Sequence, residues 1–370
     1  MSKEVFVLGA GFTKAFPPNA PLLTGDWGID ELLKQFTGFP GVTALLKAER
    51  ARNPNGHVDL ERLMTRLHIG MPYDDVMVGT KSVLNTVMDT LTARLMTSLN
   101  EARAKEVHFD ELEAFAGYCA VKQVTCITFN YDDALDEALW AFNEHEYGGM
   151  GDKPVLWHPD GGYGFFCKPS ATCIGDLSTV MDFCKTRILK LHGSVNWFAR
   201  KGYAPPYPVE ALVHHERWSS MTKYGGFGEK DAAAAVMKEI EHHLEPRPFI
   251  VLPVLDKSAI ADQSVLTLLW KLAYEALTGA DSVTFVGYSL PPTDIAARYL
   301  FSEGLAKVDC SRIEVVNFAS DEATRALLKE TYRSLGLGLD DSQFNFNGAL
   351  DWSQKLLSEK TGHADVPTAH

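Results

Sequence analysis

No Cys-x-x-Cys pair occurs in the chain. Its six cysteines, Cys119, Cys126, Cys167, Cys173, Cys184 and Cys310, stand at irregular spacings. That argues against a structural zinc cage or a disulfide framework and leaves reduced, mostly buried thiols. Long apolar runs are also missing; none approaches the roughly 20 residues needed to cross a bilayer. The N-terminal run Val5-Phe6-Val7-Leu8 is too short for a signal peptide, so the expected compartment is the cytoplasm and no membrane partner is expected. Basic residues are in deficit: 35 Lys+Arg against 48 Asp+Glu give a net charge of −13. Without a basic run, direct binding of nucleic acid is not expected, although net charge does not describe local grooves. There is no internal repeat and no low-complexity block.

What is present is a 370-residue chain, 46% hydrophobic, with ample material for a core. Short apolar runs recur at Val5–Leu8, Val124–Phe129, Ile188–Leu191, Phe249–Leu252, Ser282–Val286 and Ile313–Phe318. They are nearly continuous rather than alternating, as in strands buried on both faces of a parallel sheet. Most end in small or polar residues and lead into helical spacing. The expected fold class is therefore α/β: a doubly wound, mostly parallel, Rossmann-like sheet with a large helical insertion. Leu60, Leu63, Met64 and Leu67, then Leu84, Val87, Met88, Leu91 and Leu95, keep helical spacing inside a stretch too long for a simple crossover. The expected division is a core over 1–26 and 118–358, a helical insertion over 27–117, a second insertion over 199–248 and a flexible tail over 359–370. The second insertion is expected to be helical over Glu229–Leu244, and Gly148–Cys184 to be irregular or a β-hairpin.

Five strand ends carry polar residues. The first is Leu8-Gly9-Ala10-Gly11-Phe12-Thr13, a strand entering a Gly-x-Gly turn. Small residues there let backbone approach a pyrophosphate at the helix start. Lys14 stands where the third fingerprint glycine belongs, which disfavours an ordinary dinucleotide dehydrogenase, and a plain βα turn explains the glycines equally well. The second is Thr128-Phe129-Asn130-Tyr131-Asp132; Asn130 can donate and accept, and Asp132 suits either a helix cap or a ligand hydroxyl. The third is Lys190-Leu191-His192-Gly193-Ser194, where an imidazole after a strand is either a general base or a structural histidine. The fourth is Gly287-Tyr288-Ser289-Leu290-Pro291-Pro292-Thr293-Asp294. Here Gly287 and Ser289 leave room for a nucleotide, and Asp294 reads best as a helix cap. The fifth is Val315-Val316-Asn317, where Asn317 reaches a ribose or closes a turn.

Taken in order, Gly-Ala-Gly-x-Thr, Thr-x-Asn-x-Asp, Leu-His-Gly, Gly-x-Ser-Leu and Val-Val-Asn resemble the NAD-binding core of the sirtuin superfamily. The wording Phe129-Asn130-Tyr131-Asp132, Lys190–Trp197 and Gly287–Pro291 looks like the zinc-less, sirtuin-like NAD hydrolase domains of bacterial antiphage defence systems. The resemblance implies that Gly9, Ala10, Gly11 and Thr13 hold the phosphates and ribose of NAD, and that Asp132 lines the nicotinamide-side pocket. It implies that Asn130 and His192 are catalytic, and that Gly287, Ser289 and Asn317 contact the adenosine half. The departures are specific. No cysteine lies between His192 and Cys310 to build the zinc ribbon of protein-deacetylating sirtuins, Phe129 replaces the glutamine before the catalytic asparagine, and Ala15-Phe16-Pro17-Pro18 replaces the arginine-bearing loop.

The implied reaction is NAD+ glycohydrolase activity, with NAD as substrate and no metal. Nicotinamide leaves neutral without an acid, and the site has to tolerate an oxocarbenium-like ribose beside a placed water. Asn130 and His192 are expected to meet across one ribose. An NAD-dependent protein deacylase, and a non-catalytic NAD- or ADP-ribose-binding regulatory module, are the alternatives. Relatives in such systems are held quiet until activated, so a homo-oligomer and a partner such as a HerA-like ATPase are expected.

Overall fold

The computed structural model describes residues 3–16, 27–52, 57–69, 86–87, 89–91, 93–94, 108–147, 157, 159–165, 186–200, 202, 209–211, 213–215, 220–222, 244–251, 260 and 263–361. The strands are β1 (Glu4–Leu8), β2 (Trp27–Gly28), β3 (His57–Val58), β4 (Thr125–Thr128), β5 (Arg187–Lys190), β6 (Gly193–Arg200), β7 (Val209–Ala211), β8 (Val213–His215), β9 (Ser220–Thr222), β10 (Leu244–Ile250), β11 (Ser282–Val286), β12 (Ile313–Val316) and β13 (Phe344–Asn345). The helices are α1 (Ala10–Ala15), α2 (Ile29–Gln35), α3 (Pro40–Arg52), α4 (Leu60–Ile69), α5 (Phe109–Lys122), α6 (Ala134–Tyr147), α7 (Pro159–Gly162), α8 (Ser264–Thr278), α9 (Ile295–Gly304), α10 (Glu322–Arg333) and α11 (Ala349–Thr361). Among the described residues, no helix is long and apolar enough to cross a membrane.

Six strands form one sheet in the order β13-β12-β11-β1-β4-β5, every neighbouring pair parallel. Read from β5 by order along the chain, this is 3-2-1-4-5-6, the doubly wound arrangement. The expected α/β class is what the chain forms. Val5, Phe6, Val7 and Leu8 are all buried because helices cover both faces of β1. On one face Phe6 meets Phe115 of α5 at 5.7 Å and Trp352 of α11 at 5.3 Å. Phe285 pairs in register with Val7, so it points to the opposite face. There it meets Phe301 of α9 at 4.9 Å and Tyr332 of α10 at 5.1 Å.

One strand expectation is corrected. Of the run Phe249–Leu252, Phe249 and Ile250 do not enter the parallel sheet, and Leu252 lies outside the described residues. Leu244–Ile250 instead pairs antiparallel with β6 in a separate sheet of order β10-β6-β7. A short apolar run looks the same in either setting, but Pro246 and Pro248 mark an edge strand. The sixth parallel strand is β13, whose two residues are too few to produce a pattern.

The chain divides into two compact units. One comprises Met1–Pro18, Arg103–Ile250 and Ile260–His370, and the other Asn19–Ala102 with Val251–Ala259. Helix α5 belongs to the first, so the insertion ends before the boundary expected at residue 117. The second unit is built around α2, α3 and α4, with a β2–β3 antiparallel contact that the all-helical expectation omitted. Its core includes Leu60, Leu63, Met64, Leu67, Val87 and Leu91, at the helical spacing expected. Leu84, Met88 and Leu95 lie outside the described residues, as do 229–243 of the expected second helix, most of 148–184 and the tail from 362.

Phe6 fills the space between β1 and two covering helices. Phe6→Ala should therefore cost about 3–5 kcal/mol in urea denaturation. A loss below ~1 kcal/mol would contradict its place under α5 and α11.

Candidate functional site

In a doubly wound sheet, ligands sit outside the carboxyl ends of the strands where the order reverses. Here that point lies between β1 and β11. The two turns leaving these strands touch backbone to backbone. Gly9 N–H donates to Val286 O at 3.0 Å and Gly11 N–H to Gly287 O at 2.9 Å. Gly287 has φ +64°, and a Cβ there would lie 2.1 Å from Phe12 N; a Cβ on Gly9 would lie 2.4 Å from Tyr288 Cα. Close packing of the turns accounts for these glycines, and it engages the amide protons assigned from the sequence to phosphate. Ala10 is exposed. Asn317 donates from Nδ2 to Tyr288 O at 3.0 Å, where Tyr332 also donates from its hydroxyl at 2.6 Å. Asn317 thus holds the Gly287 turn, while Ser289 in the same turn is exposed.

Asn130 sits just past β4, beside β1. Its Nδ2 donates to Gly9 O at 2.8 Å and to Thr13 Oγ1 at 2.9 Å. A backbone carbonyl only accepts, so this edge of the amide must be the NH₂. Oδ1 is left as the acceptor. Thr13 passes the chain on, donating to Asp132 Oδ2 at 2.8 Å, and Asp132 Oδ1 accepts from Ala134 N at 3.2 Å at the start of α6. Of the two roles expected for Asp132, the helix-start one is seen here, with its second oxygen taken by Thr13.

Behind this triad lies a buried charge cluster. Asp132, Asp133, Asp136 and Glu137 are all buried, and so is Lys190 on β5. Lys190 Nζ donates to Asp132 O at 2.5 Å and to the Asp136 carboxylate at 3.1 and 3.3 Å. Tyr163 OH also donates to Asp136 Oδ1, and Asn196 Nδ2 donates to Tyr163 OH at 3.2 Å. Burial pushes the Asp136 carboxyl above its ordinary range; the attraction of Lys190 opposes this without cancelling it. Asp132 is raised for the same reason, against Lys190 and the Thr13 hydroxyl. Thr13, Asn130, Asp132, Asp136 and Lys190 line a cavity of about 10 Å³ with Leu8 and Phe12, room for about one water.

His192 follows β5. The register Thr128↔Lys190 puts Asn130 and His192 at matching positions past adjacent strands. Their side chains nevertheless have different neighbours. The imidazole lies among Phe129 at 5.2 Å, Tyr131 at 6.3 Å and Trp270 at 6.5 Å, and does not line the cavity beside Asn130. Its Nε2 stands 3.7 Å from Asp294 Oδ2. Gly193 is required by this turn: its φ is +77°, and a Cβ would lie 2.2 Å from Phe249 O of β10.

The structure thus gathers Gly9, Thr13, Asn130 and Asp132 around one cavity, gathers Gly287 and Asn317 at the adjoining turn, and sets His192 in an aromatic cage. Sequence reasoning did not single out Lys190, Asp136, Tyr163 or Asn196. A lysine inside the apolar run Ile188-Leu189-Lys190-Leu191 was the available signal, since a buried lysine demands an acidic partner. Among the described residues, no group of three or more His, Cys, Asp and Glu is arranged to hold a metal.

No protein-family model matches the chain, and no curated protein does. Solved structures do match. One is described as a Sir2 homologue mutant–ADP ribose complex, at 14% identity and a TM-score of 0.36, covering 92% of this chain and 96% of that one. Another, described as a Sir2 homolog–NAD complex, has 13% identity and a TM-score of 0.36, covering 90% and 91%. A third, titled for the mechanism and regulation of Sir2 enzymes, has 14% identity and a TM-score of 0.35, covering 98% and 95%.

The raised Asp136 fixes a sign. A carboxyl whose folded pKa exceeds its unfolded value contributes stability at low pH that is lost as pH rises through the folded value. Asp136→Asn cannot lose it. The stability difference, variant minus wild type, should therefore shift in the variant's favour as pH rises above about 4, by up to ~1.4 kcal/mol per unit. Chemical denaturation at several pH values checks this; a difference that moves the other way would mean Asp136 is an ordinary ion-paired carboxylate.

Proposed function

We propose that the chain is an NAD+ glycohydrolase of the sirtuin-like kind, cleaving the nicotinamide–ribose bond to give ADP-ribose and nicotinamide. The observation that carries this reading is the state of Asn130. Its NH₂ edge is fixed by Gly9 O and Thr13 Oγ1, so its oxygen remains to accept from a water or a ribose hydroxyl at the carboxyl end of the sheet. A neutral amide orients a water without binding it as tightly as a carboxylate would.

In the reaction the C1′–N bond breaks, and its electron pair passes to the pyridinium nitrogen, so nicotinamide departs neutral. Water oxygen bonds C1′, and the displaced proton passes directly to solvent, because the His192 imidazole does not line the cavity beside Asn130. In this reading Gly287, Ser289 and Asn317 face the adenosine half, and Gly9, Ala10, Gly11 and Thr13 the nicotinamide ribose and phosphates. We place the enzyme in the cytoplasm as a regulated effector of antiphage defence. It would assemble with itself and with a partner such as a HerA-like ATPase, without direct contact to nucleic acid or membrane.

That His192 does not line the cavity beside Asn130 favours one further reading: a module that binds NAD or ADP-ribose without turnover. Incubation with NAD separates the two. The hydrolase should release nicotinamide and ADP-ribose in equal amounts, and Asn130→Ala should lower the rate at least ~100-fold. Undiminished release by Asn130→Ala would remove Asn130 from the chemistry. Ligand binding without product, in the isolated chain and in its assembled forms, would leave the binding module.

A further inference from the structure

The Asn130 side chain is held by one edge. Its NH₂ carries two protons and meets two acceptors, Gly9 O at 2.8 Å and Thr13 Oγ1 at 2.9 Å. One hydrogen bond would let the amide pivot about it; two, one for each proton, fix its plane. The two acceptors differ in kind. Gly9 O can only accept, whereas a threonine hydroxyl can donate or accept. The direction of that hydroxyl is set from behind. Thr13 Oγ1 donates to Asp132 Oδ2 at 2.8 Å, and Asp132 Oδ1 accepts from Ala134 N at 3.2 Å. The backbone of the same residue is held as well, since Asp132 O accepts from Lys190 Nζ at 2.5 Å. Thr13 and Asp132 are both buried, and Asn130 is half-buried. The chain of bonds therefore runs from a buried carboxylate outward to the amide.

We propose that Asp132 and Thr13 are positioning residues for Asn130: the carboxylate claims the Thr13 proton, which turns the hydroxyl oxygen to the Asn130 NH₂ and holds the amide oxygen outward. A carboxylate only accepts, so the single hydroxyl proton lies between Thr13 and Asp132, and a lone pair is left for the amide. Hydrogen bonds to an ionised acceptor are the stronger kind, so the anchor is firmer than a neutral side chain would make it. Both residues then act on NAD cleavage through the amide. This rests on the reading of Asn130 as the group that orients water or a ribose hydroxyl. Without the second anchor the amide swings about Gly9 O, and a misplacement of about 1 Å can cost ~100-fold in rate. A carboxamide at position 132 would undo the arrangement without removing the side chain. Its oxygen would still be claimed by Ala134 N, its NH₂ would turn to Thr13, and the hydroxyl proton would lose its acceptor.

The test uses the full chain with nitrogen-15 labelled asparagine, first without substrate. Exchange of the Asn130 NH₂ protons with solvent is the readout. Thr13→Val keeps the shape and removes the hydroxyl, and should speed that exchange at least ~5-fold. Thr13→Ser restores the hydroxyl and should return it to within ~2-fold of wild type. Asp132→Asn should speed exchange in the same direction with the Thr13 hydroxyl still in place, so the outcome does not hang on one variant folding. Exchange that Thr13→Val or Asp132→Asn leaves unmoved would overturn the proposal. With NAD, Thr13→Val should lower kcat for nicotinamide release ~10- to 100-fold, with KM changed less than ~3-fold, and Thr13→Ser should recover most of the loss. In an Asn130→Ala background, Thr13→Val should cost less than ~2-fold more, because the residue it acts through is gone. A full further loss in that background, or an effect confined to KM, would mean that Thr13 itself touches substrate and would also overturn it. The exchange measurement needs no turnover. A chain with the expected exchange that never releases nicotinamide would therefore count against the hydrolase reading and not against the anchoring of Asn130.

Discussion

The site is organised by how the chain leaves β4. Past Thr128 the backbone runs on for four residues, and successive side chains go to opposite sides, as extended chain requires. Asn130 and Asp132 go to Gly9, Thr13 and Lys190, while Phe129 and Tyr131 go to His192 and Trp270. The segment is pinned along its length. Thr128 Oγ1 donates to Leu8 O at 3.1 Å and accepts from Asn130 N at 3.1 Å. Tyr131 O accepts from Val195 N at 2.8 Å, and Asp132 O accepts from Lys190 Nζ at 2.5 Å. A slip of one residue would exchange the two sets and leave an asparagine in the aromatic cage and a phenylalanine in the acidic cluster. This alternation is also why Asn130 and His192, level with each other past adjacent strands, have different neighbours.

Lys190 is the costly part of that arrangement. Removing an ammonium and several carboxylates from water is expensive, and ion pairing inside a protein often only offsets the loss. The raised Asp132 and Asp136 carboxyls express the same balance: desolvation outweighs the pull of the lysine. An apolar side chain at position 190 would pack the sheet more cheaply, yet it would take the ammonium from Asp132 O and leave the Asp136 carboxylate with the Tyr163 hydroxyl but no countercharge from Lys190. The cluster is better understood as a device for holding one loop conformation than as a source of stability. Its members come from β5, α6, the Tyr163 turn and β6, so four separate stretches of chain must be in place before the Asn130 amide is aimed.

Much of this was legible. Continuous apolar runs identified five of the six parallel strands, and the polar residues at their ends mark where the site forms. The failures have physical causes. Phe249–Leu252 has the texture of a buried parallel strand, and only the prolines at 246 and 248 say otherwise. Phe344–Asn345 is too short for any period. Helix α5 is buried nearly all round, so it looked like part of the helical insertion, when that burial is what a crossover helix under β1 requires. The acidic cluster was hidden because Asp132, Asp133, Asp136 and Glu137 resemble an ordinary solvated helix start. Their partner, Lys190, is far away in sequence.

The carboxylates at these turns each serve two partners. Asp294 was read as a helix cap and is one; its second oxygen faces His192. Asp132 was weighed between cap and ligand contact; it caps α6 with one oxygen and accepts from Thr13 with the other. The Gly9 turn suits either a phosphate cradle or a plain βα turn, and packing against the Gly287 turn uses two of the amides, Gly9 N and Gly11 N, that the cradle would need. The pattern follows from geometry. The carboxyl end of a parallel strand is where a ligand can approach, but it is also where the next helix must start and have its first amides satisfied. A carboxylate has two oxygens and can serve both ends, whereas a backbone amide has one proton and cannot. Short polar side chains at these turns can therefore hold two partners at once, whereas the Gly9 and Gly11 amides are each spent on one packing bond.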